Sequence, residues 1–151
     1  AGVETFVFRP KDYASKADYE REILGMLRER GVELIVLAGY MRLVSPVLTE
    51  AYRDRIINVH PSLLPAFPGK DAVGQALRYG VKLTGVTIHF VDDGLDSGPV
   101  IAQEGVPVLD DDTPDTLLER IHRTERRLLL QAIGWLAAGR VRLDGRKVTV
   151  S

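Results

Sequence analysis

Ile56-Ile57-Asn58-Val59-His60-Pro61-Ser62-Leu63-Leu64-Pro65-Ala66-Phe67-Pro68-Gly69 is the stretch on which the reading of this chain turns. It begins as a short apolar run that breaks at Pro61. Side chains on a strand alternate faces, so Asn58 and His60 project from the same side. An amide donor and an imidazole thus stand together where the strand must stop. Pro61, Pro65 and Pro68 then hold the following loop in extended or turn geometry. Loops at the carboxyl ends of strands are where open α/β sheets place their ligands. A capped strand whose Asn and His merely satisfy backbone groups is the competing reading of these residues taken alone.

Upstream, Val3 to Phe8 is a β-rich run ended by Arg9-Pro10. Ser15 followed by Asp18 has the form of a capping box with Asp in place of Glu. Tyr19, Ile23, Leu24 and Leu27 then recur at helical spacing until Gly31. Glu33 to Ala38 is nearly all apolar, as expected of a parallel strand covered on both faces. Ser45-Pro46 supplies a cap and first position for a short helix to about Arg53. Strand, helix, strand, helix, strand is the order of an α/β fold with a mostly parallel sheet flanked by helices.

Downstream, Ala72 to Tyr79 reads as a helix stopped by Gly80. Leu83 to Val91 and Val100 to Val108 read as an antiparallel pair joined through Asp92 to Pro99. Asp110 to Thr113 caps a long helix from Pro114 to about Ala138. Gly139 to Ser151 closes as a hairpin, with Asp144-Gly145 as its expected type I′ turn. The C-terminal part of the fold is therefore antiparallel. Residues 1–151 read as one domain, without repeats or an interdomain linker.

A formal net charge of −1 gives no global basic field for nucleic acid. The absence of cysteine excludes disulfides, thiolate metal sites and a Cys nucleophile. No apolar run approaches the roughly 20 residues a membrane helix needs. The first residues lack the regions of a signal peptide, so the expectation is a cytoplasmic protein. The histidines are too far apart for a clear ligand pattern, so no metal is expected. Asp110 to Asp112 lack the spacing of a calcium loop and read as helix caps.

Asp92 and Asp93 stand where turns ordinarily want Asp. Asp96 differs, because Gly94 and Gly98 on either side let the backbone approach another element closely. A carboxylate near His60 would favour the imidazolium and fix its orientation. Asn58, His60 and Asp96 would then form a donor, an acid/base and an orienter, the set that suits attack on a carbonyl. Spacing permits this convergence without requiring it.

Three segments, Ala38-Gly39-Tyr40-Met41-Arg42, Asn58 to Pro65, and Asp93-Gly94-Leu95-Asp96-Ser97-Gly98-Pro99, resemble the phosphoribosylglycinamide formyltransferase family. The resemblance runs over essentially the whole chain. It implies a Rossmann-like formyltransferase fold, and transfer of a formyl group from 10-formyltetrahydrofolate to the amine of glycinamide ribonucleotide in purine biosynthesis. Pro61 and Phe67-Pro68-Gly69 look like this family, where methionyl-tRNA formyltransferase and formyltetrahydrofolate deformylase typically differ. The resemblance casts Asn58 as the oxyanion donor, His60 as the acid/base, and Asp96 as the holder of His60 and a relaying water. Met41, Arg42, Leu43 and Val44, with the backbone around Val91, Asp92 and Asp93, match the family's folate pocket. Lys16 matches a basic position near the folate or phosphate end. Val59, Pro61, His122 and Glu125 fall on the substrate side.

Arg126 and Arg127 depart from what the family has after the glutamate, and read as a solvated helix face. His89 reads as a satisfied structural histidine near the site, with a direct role the lesser alternative. The largest departure is at the front. Family members begin with a strand and a Gly-Ser-Gly-Ser-Asn type loop that cradles the substrate phosphate at a helix start. This chain enters the fold later, which implies an N-terminally incomplete part of a longer protein. The alternatives are a truncated folate-binding module without turnover, or a deformylase-like hydrolase. A monomer or weak homodimer is expected.

Overall fold

The computed structural model describes residues 2–40 and 43–151. Helix α1 (Lys16–Glu29) is followed by β1 (Ile35–Leu37), α2 (Pro46–Ala51) and β2 (Ile56–His60). Then come α3 (Ala72–Tyr79), β3 (Leu83–Phe90), β4 (Val100–Pro107), α4 (Pro114–Ala137), β5 (Val141–Asp144) and β6 (Lys147–Val150). The main sheet has the order β1-β2-β3-β4, and β5 and β6 pair separately. Among the described residues only β1 and β2 run parallel, joined through α2, and both remaining ladders of this sheet are antiparallel. The sheet is thus mixed.

Val3 to Phe8 is not a strand. A strand needs a ladder partner, and none of the described strands lies against this segment. Its side chains instead dock on the end of α1. Arg30 reaches both oxygens of Glu4 at 2.9 and 3.0 Å and lies 4.3 Å over the Phe6 ring, while Val3 and Val7 stay exposed.

The helix starts follow from side-chain acceptors. Ser15 Oγ accepts the Asp18 N–H at 3.1 Å, but the Asp18 carboxylate turns to Arg21 and does not close a capping box. Asp is one methylene shorter than the Glu of that motif. The reciprocal box forms at α4, between Thr113 and Thr116 behind Pro114. Gly80 ends α3 in the left-handed region. The last hairpin turns one residue later than expected. Asp144 pairs with Lys147, so the loop is Gly145-Arg146, and only Gly145 has positive φ. Type I′ needs positive φ at both loop residues.

β3 is buried over seven of its eight residues because it sits inside the sheet and is covered on both faces. Its apolar side chains Val86, Ile88 and Phe90 pack with Ile57 and with the stripe Leu117, Ile121, Leu128 and Ala132 of α4. A second cluster, Leu24, Val44, Leu48, Tyr52 and Ile56, joins α1 and α2 to β2. Two cores thus grip β2, one from each side of its length, and they leave its carboxyl end open.

Ile121 is fully buried and Leu130 is 71% exposed on the same helix. Ile121→Ala is expected to lower unfolding free energy by about 2–5 kcal/mol. Leu130→Ala should change it by less than about 0.5 kcal/mol. Urea denaturation of both variants checks this, and equal effects would mean that the wrong face of α4 meets the sheet.

Candidate active site

The site forms where β2 ends. In the β2–β3 ladder Asn58 lies opposite His89 and His60 opposite Thr87, so all four share one face. The Thr87 hydroxyl donates to Ser62 O at 2.7 Å and accepts from Leu64 N–H at 3.0 Å and Gln103 Nε2 at 2.9 Å. A hydroxyl has one proton and two lone pairs, and all are used. The loop after Pro61 is therefore pinned to the sheet at its first turn.

His60 is 5% exposed. Its Nε2 lies 2.8 Å from Phe67 O. A carbonyl can only accept, so Nε2 carries the proton there. Phe67 has φ +50°, a left-handed backbone that aims this carbonyl back at the ring. Nδ1 faces Asp96 Oδ2 at 3.6 Å, ion-pair range and too long for a direct hydrogen bond. The same Oδ2 accepts the Gly69 N–H at 2.8 Å. Asp96 thus ties the end of the proline loop to the turn between β3 and β4, beside the imidazole.

That turn is shaped by its small residues. A Cβ on Gly98 would lie 1.7 Å from Phe90 O, so no other residue fits. Phe90 N–H donates to Pro99 O at 2.9 Å across this approach. Asp92 Oδ1 accepts from Gly94 N–H at 2.9 Å and Ser97 Oγ at 2.8 Å, the local turn role its type favours. Asp96 itself sits at φ +51°.

His89 reaches the site through Asn58. Its Nδ1 lies 2.8 Å from Phe90 O and its Nε2 lies 3.4 Å from Asn58 Nδ2. With Nδ1–H donating to the carbonyl, Nε2 is left as an acceptor for the Asn58 amide. Burial pushes the imidazole below its ordinary value, against the opposing pull of the Phe90 carbonyl and of Asp96. Neutral His89 therefore fixes which way Asn58 points and leaves its second N–H free for a ligand. The signal was the cross-strand register, which no single strand contains.

These groups border a cavity of about 590 Å3, a usual size for a small-molecule cleft. Asn58, Val59, His60, Pro61 and Asp96 line it, as do Leu43, Val44, Val91 and Asp92. His122 and Glu125 close it from α4. Burial pushes the Glu125 carboxyl up, against the opposing pull of His122, His60 and Arg126. Lys16 is exposed at the start of α1 and is not among the lining residues. Asp93 points away from the cavity to the Thr49 hydroxyl at 2.6 Å. Met41 and Arg42 lie outside the described residues. Arg127 pairs with Glu104 on β4, and Arg126 is exposed. Among the described residues no group of three or more His, Asp or Glu is arranged to hold a metal ion.

An open α/β sheet with an amide donor, an imidazole and a carboxylate around one cavity is the class of site that handles carbonyl group transfer. The Formyl transferase family model matches residues 1–133, and the chain belongs to that family. It is 54% identical over 125 residues to the phosphoribosylglycinamide formyltransferase of Bacillus subtilis, covering 83% of this chain. It is 46% identical to that of Mycobacterium tuberculosis over 99% of this chain. It spans 64% and 73% of the lengths of these two relatives. The crystal structure of glycinamide ribonucleotide transformylase 1 from Symbiobacterium toebii matches with a TM-score of 0.91 at 47% identity. That match covers 93% of this chain and 66% of the other.

The His89 geometry carries a pH signature. A lowered imidazole pKa means that the unfolded chain binds more protons than the folded one just below pH 6.5. Stability contributed by neutral His89 is thus present above that value and lost as pH falls through the lowered folded value. His89→Gln should flatten this acid limb in denaturation curves taken between about pH 5 and 7. An unchanged limb would contradict a buried neutral His89.

Proposed function

We propose that residues 1–151 form a single domain carrying the reaction centre of a phosphoribosylglycinamide formyltransferase. It would transfer a formyl group from 10-formyltetrahydrofolate to the amine of glycinamide ribonucleotide. The observation that carries this reading is the meeting of Asn58, His60 and Asp96 at one cavity in a chain of the formyl transferase family. The folate is a co-substrate, held by Leu43, Val44, Val91 and the Asp92 backbone. Val59, Pro61, His122 and Glu125 face the ribonucleotide.

The amine nitrogen attacks the formyl carbon, and the carbonyl oxygen becomes an oxyanion. The Asn58 N–H left free by His89 donates to that oxygen. A new C–N bond forms, the bond to the folate nitrogen breaks, and the amine's proton passes to that leaving nitrogen. His60 stabilises the charge and assists this movement, with Asp96 fixing its ring and an intervening water. No bond to the protein forms. The same reading makes the protein a cytoplasmic enzyme of purine biosynthesis, working as a monomer or weak homodimer without nucleic acid.

Removing a positioned acid/base typically costs about 10²–10⁴ in rate. His60→Ala should lose formyl transfer by that factor while a folate analogue still binds, as read by product formation and calorimetry. Wild-type transfer undiminished by the substitution would sink the assignment. Formate released without an amine acceptor would make the centre hydrolytic. Folate binding with no turnover in the unsubstituted chain would leave a binding module.

A further inference from the structure

Glu20 lies on α1, is fully buried, and touches none of the candidate reacting groups. A carboxylate there is costly unless its lone pairs are occupied. Ser45 N–H lies 3.1 and 3.0 Å from its two oxygens, and Ser45 Oγ donates to Oε2. The same hydroxyl accepts from Val47 N–H at 3.3 Å, which leaves its one proton for Glu20. Ser45 caps α2 and directly follows the segment whose Gly39, Tyr40, Leu43 and Val44 line the cavity. One turn later, buried Thr49 donates to Asp93 Oδ1 at 2.6 Å, in the turn that carries Asp92 and Asp96. A six-residue helix has little stability of its own, so these contacts and its packed face hold it in place.

We propose that Glu20 and Thr49 are positioning residues. Through α2 they tie together two walls of the cavity, the one formed by Gly39, Tyr40, Leu43 and Val44 and the turn at 92–97. The clamp sets how far apart the walls stand, and so how tightly they grip a flat ligand entering between them. The identity of that ligand as the folate co-substrate rests on the function proposed above; the clamp itself does not.

Two substitutions that preserve shape test it. Glu20→Gln keeps size but turns one acceptor into a donor facing Ser45 N–H. Thr49→Val keeps the outline and removes the hydroxyl. In the ligand-free protein, backbone order parameters from 15N relaxation should fall from about 0.85 toward 0.6 at Gly39, Leu43 and Val44 and at Asp92 to Ser97. Each variant should loosen both walls, while α4 stays rigid. In turnover, KM for the folate should rise about tenfold, as expected for a lost charge-assisted bond, with kcat within about twofold. Loosening confined to the wall nearest each substitution would overturn the clamp, as would a fall in kcat at unchanged KM. Should Glu20→Gln fail to fold, Thr49→Val carries the same two readouts. Should no transfer be measurable, the relaxation result decides alone, so failure of the function and failure of the clamp are separable.

Discussion

The register of β2 against β3 is the constraint on which the site depends. It sets Asn58 opposite His89 and His60 opposite Thr87. Because side chains alternate with a period of two, a slip of one residue would exchange the polar row Asn58, His60, Thr87 and His89 with the apolar row Ile57, Val59, Ile88 and Phe90. The fully buried Ile57 and Ile88, on the opposite face, make that slip expensive. Packing on one face of the sheet thus holds Asn58, His60 and His89 on the other.

From this fixed row the surrounding loops are tied by short polar contacts. Thr87 anchors the start of the proline-rich loop, the Phe67 carbonyl sets the tilt of His60, and Gly69 N–H binds Asp96. Gly98 brings the 92–97 turn against β3, where any larger residue would collide with Phe90 O. Burial acts on the titratable groups in opposite senses, lowering His89 and raising Glu125. In both cases burial disfavours the charged form. In such surroundings the interactions of a developing charge are screened less than in water.

Much of the fold was legible where local chemistry decides it. The caps at Ser45 and Thr113, the stops at Gly31 and Gly80, and the periodicity of α4 all carry their own signals. The shared face of Asn58 and His60 followed from strand alternation. What was not legible depends on partners distant in sequence. Val3 to Phe8 has strand composition but no ladder, and Arg30 captures its side chains instead. The last hairpin moved by one residue because Asp144 was needed to pair with Lys147. The sequence shows His89 as a structural histidine near the site, but its link to Asn58 exists only across two strands. The approach of Asp96 to His60 was permitted by the glycines that flank it and implied by the family resemblance, but spacing alone did not require it. Lys16, assigned by the same resemblance, stays outside the cavity lining.

In the proposed reaction the formyl carbon sits at the Asn58–His60–Asp96 corner. A crystal structure with a stable 10-formyl-folate analogue bound tests this most directly. The formyl oxygen is expected within about 3 Å of Asn58 Nδ2, the usual range for an oxyanion donor, with the formyl carbon facing His60. An analogue seated with its formyl group away from this corner, for example against Leu63, Tyr79 and Leu83 on the other side of the proline-rich loop, would contradict it.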